Sequence, residues 1–125
     1  MNNGNYGAGI WGSNNIFANN ILYNNGDPTT SLQGVVATAG PQTIDHNVTW
    51  DTTSSSRAGW YDKGGCGCIT NNTQQDPQFS NPSNLNWHIL ASSPAVGFSS
   101  QSYVQTYDHD GIVRPNPADA GAYQH

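Results

Sequence analysis

Phe17-Ala18-Asn19-Asn20-Ile21-Leu22-Tyr23-Asn24 returns in altered form as Ile44-Asp45-His46-Asn47-Val48-Thr49-Trp50-Asp51, and fades into Ile69-Thr70-Asn71-Asn72-Thr73. The intervals are 27 and 25 residues. A second series, Gly9-Ile10-Trp11, Gly34-Val35-Val36 and Gly59-Trp60-Tyr61, recurs at 25 residues both times. A period of this length with two or three short apolar runs suits one coil of a β-solenoid. Helical repeats are generally longer, leucine-rich repeats need their leucines, and propeller blades need about 40 residues or more. Equivalent strands of successive coils would stack in parallel about 4.8 Å apart, with inward residues forming columns. Ile10, Val35 and Trp60 are expected in one column, Phe17, Ile44 and Ile69 in a second, and Ile21, Val48 and Thr73 in a third. Alternation turns Tyr23 and Trp50 the same way as this third column. Asn20, Asn47 and Asn72 share one corner, where side-chain amides can bond along the stack; asparagine's preference for turns is the plainer account of them.

Composition agrees with short strands and many turns. Of 125 residues only 34% are hydrophobic and 9% charged, yet four Trp, six Tyr and three Phe supply a large apolar area for a short chain. A thin, regularly laid-out core reconciles these facts. Sixteen Asn and fourteen Gly tolerate the left-handed conformations of tight corners, whereas strong helix formers are scarce. A net charge of −5 with only Lys63, Arg57 and Arg114 as cations excludes nucleic acid as a partner. No run of 18 apolar residues calls for a membrane span. The sequence reads as starting in mid-architecture, so further coils are expected upstream of Met1, or else an end-to-end contact of this uncapped N-terminal coil with another chain.

Asp27-Pro28-Thr29-Thr30-Ser31 and Thr52-Thr53-Ser54-Ser55-Ser56 occupy equivalent places and read as loops projecting from one side. Cys66-Gly67-Cys68 fits a corner of small residues, a local disulfide, or redox or metal chemistry; its spacing is poor for zinc. Asn47-Val48-Thr49 and Asn71-Asn72-Thr73 match the glycosylation sequon, which an Asn-rich chain also produces by chance.

From about residue 76 the periodicity stops. The motifs become Asp76-Pro77-Gln78-Phe79, Trp87-His88-Ile89-Leu90, Ser93-Pro94-Ala95, Asp108-His109-Asp110-Gly111 with Arg114-Pro115, and Asp119-Ala120-Gly121-Ala122-Tyr123. In this order they resemble the C-terminal module of secreted bacterial right-handed parallel β-helix proteins, often labelled choice-of-anchor proteins. The Asn-rich repeats before it resemble pectate-lyase-like coils. The resemblance implies an all-β, right-handed parallel β-helix (solenoid) of about three coils plus a C-terminal cap. Residues 1–75 would form the coils and 76–125 the capping segment of the same domain, its aromatic residues acting as a lid over the last coil.

The same resemblance implies a secreted or extracellular protein acting on polysaccharide, by calcium-assisted elimination or by hydrolysis. Elimination needs a carboxylate cluster for Ca²⁺ and a nearby base; hydrolysis needs two carboxyls facing a sugar bond. Asp45, Asp51 and Lys63 are the candidate catalytic set here. Their strand faces differ, and in such enzymes the site lies on central coils, so the catalytic coils are expected upstream and Ca²⁺ belongs to the full-length protein. No cofactor is expected in this segment. Asp108 and Asp110 are candidate metal ligands, against the reading of a simple Asp-Gly turn. Arg114 is expected to pair with Asp108, Asp110 or Asp119 and hold the cap closed. Trp11 and Tyr61, turned outward by alternation, are candidate sugar-stacking residues. A non-catalytic carbohydrate-binding, adhesion or structural protein is the alternative to the end of an enzyme.

Overall fold

The computed structural model describes residues 7–25, 35–37, 40–62 and 68–125. The first repeat gives three strands, β1 (Ala8–Ile10), β2 (Ile16–Ala18) and β3 (Ile21–Tyr23). The second gives β4 (Val35–Ala37), β5 (Thr43–Asp45) and β6 (Val48–Trp50), and the third β7 (Trp60–Asp62), β8 (Ile69–Thr70) and β9 (Thr73–Gln74). Equivalent strands pair in parallel, in the orders β1-β4-β7, β2-β5-β8 and β3-β6-β9. In the later segment β10 (Phe79–Asn81) and β11 (Asn86–Ile89) form an antiparallel pair.

Two of the expected columns are in register, Phe17 on Ile44 on Ile69 and Ile21 on Val48 on Thr73, with Tyr23 on Trp50. The remaining one is displaced. Ala8, not Ile10, pairs with Val35, which pairs with Trp60. All three strands of the first repeat are therefore offset by the same 27 positions from the second, and the Gly-led series misreads β1 by two residues.

The β2–β3 corner and its two successors follow from backbone chemistry. Asn19, His46 and Asn71 take left-handed conformations, with φ of 62°, 51° and 48°, a region where Asn is enriched among non-glycine residues. The next residue in each case belongs to an amide ladder. Asn20 Nδ2 donates to Asn47 Oδ1 at 3.0 Å, and Asn47 Nδ2 donates to Asn72 Oδ1 at 2.9 Å.

The described strands do not assemble into the right-handed parallel β-helix expected from the sequence. They form four separate small sheets of two or three strands, each strand two to four residues long, with no closed barrel and no continuous solenoid among the described residues. The physical reason lies in how alternation divides the apolar residues. Leu22 packs with Ile10 and Ile44, against which Phe17, Trp60 and Ile69 rest. Ile21 and Val48 belong instead to a second cluster with Ile89, Ala95, Ala120, Phe79 and Phe98. Two small cores on either side of the β3–β6 pair replace the single apolar column.

The segment after residue 76 builds that second core. It runs beside the first two repeats, tied to the Asn19 corner from a long way along the chain. Asn19 exchanges two hydrogen bonds with the Ser100 backbone, at 2.7 and 3.0 Å, and Gly121 N donates to the Asn19 carbonyl at 2.8 Å. Gly121 has φ +98°, and a β-carbon there would stand 2.8 Å from Ile21 Cδ1, so close approach and backbone conformation both require glycine. Arg114 closes the same segment. Its guanidinium donates to the carbonyls of Asp119, Gly121 and Ala122 at 3.1, 2.7 and 3.1 Å. Cys68 is disulfide-bonded, and the chain has one other cysteine, Cys66, outside the described residues.

Candidate functional site

Asp45 is buried at the corner between β5 and β6 and is held by its neighbours. It lies 2.7 Å from His46 Nδ1 and accepts from Asn71 Nδ2 at 2.9 Å and Thr70 Oγ1 at 3.1 Å. Burial raises its carboxyl pKa, but the bonds from Asn71, His46 and Thr70 outweigh that and hold it below the ordinary value. Asp51, past the end of β6, does a different job. One oxygen accepts from the Thr53 backbone, the Thr53 hydroxyl and the Ser54 backbone at 2.8, 2.5 and 3.0 Å. These bonds fix the loop that leads into a 3-10 turn at Ser55–Ala58. Burial again pushes the carboxyl up, and the Thr53 and Ser54 donors together with the charge of Arg57 bring it down. The two carboxylates thus organise separate corners, and no hydrogen bond joins them. Lys63, the third member of the candidate catalytic set, lies outside the described residues, as does the loop Asp27–Ser31.

Asp108 is likewise committed to its own backbone. Desolvation raises its carboxyl pKa, and N–H donors from Gln124, Ile112 and Asp110, at 3.0, 2.8 and 2.9 Å, lower it further than burial raises it. Asp110 lies 2.7 Å from His88 Nε2. Among the described residues no group of three or more His, Cys, Asp or Glu side chains is placed to hold a metal ion. Trp11 follows β1 and is 63% exposed, with its indole folded back over Gly9. The outward row expected to hold it contains Gly9, Val36 and Tyr61 in register instead. The side chain of Tyr61 is outside what the structure describes.

A different set of aromatic residues comes together. Tyr23 from β3, Phe79 from β10 and Trp87 from β11 meet edge to face, with ring centroids 5.3 Å (Tyr23–Phe79), 5.1 Å (Phe79–Trp87) and 6.3 Å (Tyr23–Trp87) apart. They line one side of a groove of about 750 Å³, whose floor includes Ala8, Phe17 and Leu22 of the first repeat. Ala120, Gly121 and Tyr123 complete it from the C-terminal segment. Tyr123 in turn packs against His88 and His109 at 4.4 and 5.0 Å. A volume of this size lies within the range of about 300–1,000 Å³ usual for small-molecule sites. The residues differ from those expected because Phe79 and Trp87 look, in sequence, like lid residues and Tyr23 like core. Only the placement of the C-terminal segment beside β3 brings the three rings to one wall.

Comparison of the chain with protein-family models, curated proteins and solved structures yields no match.

Proposed function

We propose that this chain binds polysaccharide, without itself cleaving it, by seating sugar rings against the aromatic wall of Tyr23, Phe79 and Trp87. The observation that carries this reading is the convergence of those three rings, from elements far apart in sequence, on one open groove. Aromatic surfaces give large contact areas with little loss of conformational freedom, which suits the apolar faces of pyranose rings. Asn19, Asn20 and Asn25 also border the groove, the amide of Asn19 being bonded to Ser100 and that of Asn20 to Asn47. The C-terminal motifs that resemble those of secreted polysaccharide-active proteins support the same ligand class and an extracellular setting, as does the disulfide at Cys68. Binding rather than cleavage is favoured because Asp45 and Asp51 are each engaged by the turn they organise.

Affinity gel electrophoresis against a panel of plant and microbial polysaccharides tests the proposal. At least one polymer should retard the chain, and Trp87→Leu, which keeps an apolar filling, should weaken retardation by roughly tenfold, or about 1.4 kcal/mol. Trp11→Ala, away from the groove, should leave it unchanged. Migration unaffected by every polymer would end this reading.

A further inference from the structure

Resting on that reading, we infer that the groove selects uncharged polysaccharides and rejects polyuronates. None of the described residues lining it carries a charge; Asp27, close in sequence to the lining residue Asn25, lies outside them. Arg114 is not among the lining residues, and its guanidinium is taken up by the carbonyls of Asp119, Gly121 and Ala122. The carboxylate of Asp108 interacts electrostatically with that cation. Of the other cations in the sequence, Arg57 donates to Thr53 at the 3-10 turn after β6, and Lys63 lies outside the described residues.

A uronate carboxylate laid on this wall would give up water without gaining a cationic partner, which is unfavourable for any ion moved onto an apolar surface. The chain's net charge of −5 adds a repulsive field that weakens the approach of a polyanion at low salt. A neutral sugar loses neither term. Its ring faces meet the aromatic residues, and its hydroxyls remain at the open side of the groove in contact with water.

The experiment uses pairs of polymers that share a backbone and differ in their charged substituents: polygalacturonate with its carboxyl-reduced form, and a neutral β-glucan with its carboxymethylated form. Dissociation constants are measured at pH 8 with a chelator present, at low and at high salt. In whichever pair binds, the neutral member should bind at least tenfold more tightly, and salt should narrow the gap. Leu85→Lys provides the second arm. Leu85 lines the groove, is 76% exposed and already holds φ 59°, so the exchange leaves the fold alone and places a cation at the rim. It should strengthen binding of the charged member several-fold in a salt-sensitive way. A charged member bound as tightly as its neutral partner overturns the inference while the sugar-binding reading stands. A Leu85→Lys variant with unchanged affinity for the charged member also overturns it, because the groove would not be where the polymer sits. No retention of any member removes the underlying reading itself.

Discussion

Asn47 has no solvent-exposed surface, and its amide ties its own repeat to both neighbouring repeats. Its Oδ1 accepts from the Asn20 backbone at 2.9 Å as well as from the Asn20 side chain, and its Nδ2 reaches the Phe17 and Asp45 carbonyls at 2.9 and 3.1 Å. Asn47→Ala should leave the Asn20 N–H without its side-chain acceptor and destabilise the chain by roughly 1–3 kcal/mol in urea unfolding. Gly121 is sensitive for another reason. Gly121→Ala should lose about 1–3 kcal/mol, because the backbone sits at φ +98° and the added methyl presses on Ile21. Rotation of the Ile21 side chain relieves only the second part, so Ile21→Val should restore part of the loss in the double variant.

Among the elements, the C-terminal segment from Ser99 to His125 is nearly devoid of strands and is held by side chains bonded to backbone. Arg114 reaches three carbonyls with a planar fork that a lysine does not reproduce. Arg114→Lys should therefore cost about 1–3 kcal/mol and speed amide exchange at Gly121 and Ala122, which mass spectrometry of peptides from this segment reads directly. The strands were more legible in the sequence than this segment was. Phe17, Ile44 and Ile69 repeat with their flanking Asn residues, and such a pattern reports pairing because each strand donates to its equivalent. The likeness of Gly9 and Gly34 points to Ile10 opposite Val35, although glycine reports a backbone requirement and not a strand position. The inward or outward sense of Ile21 and Val48 was not legible at all. It depends on whether another layer covers them, and that layer arrives from residues 79–120. The aromatic groove escaped for the same reason, since nothing local to Tyr23 signals Phe79 or Trp87.

On the scale of the whole molecule, all eight acidic residues are aspartates, and Asp45, Asp51 and Asp108 have carboxyls held below the ordinary value of 3.8. The unfolded chain therefore takes up protons more readily than the folded one in acid. Stability from these groups is fully present above that value and is lost as the pH falls through their lower, folded-state values. The urea midpoint should drop as the pH is taken below about 4, and Asp51→Asn should flatten part of the decline, as pH-resolved denaturation curves will show. A midpoint indifferent to acid in that range contradicts the assignment of these carboxylates as structural anchors.

The bonds between Asn19 and Ser100 span 81 residues of chain. During synthesis, the repeat that holds Asn19 is made long before Ser100 and Gly121, so its Ile21 face must wait for them, without the layer they bring. Closing so long a loop is slow, and delay exposes apolar surface to other nascent chains. The Ile21 face is completed only once the chain has been made as far as Gly121, and a translation product interrupted before that point would lack the partner the Asn19 corner requires.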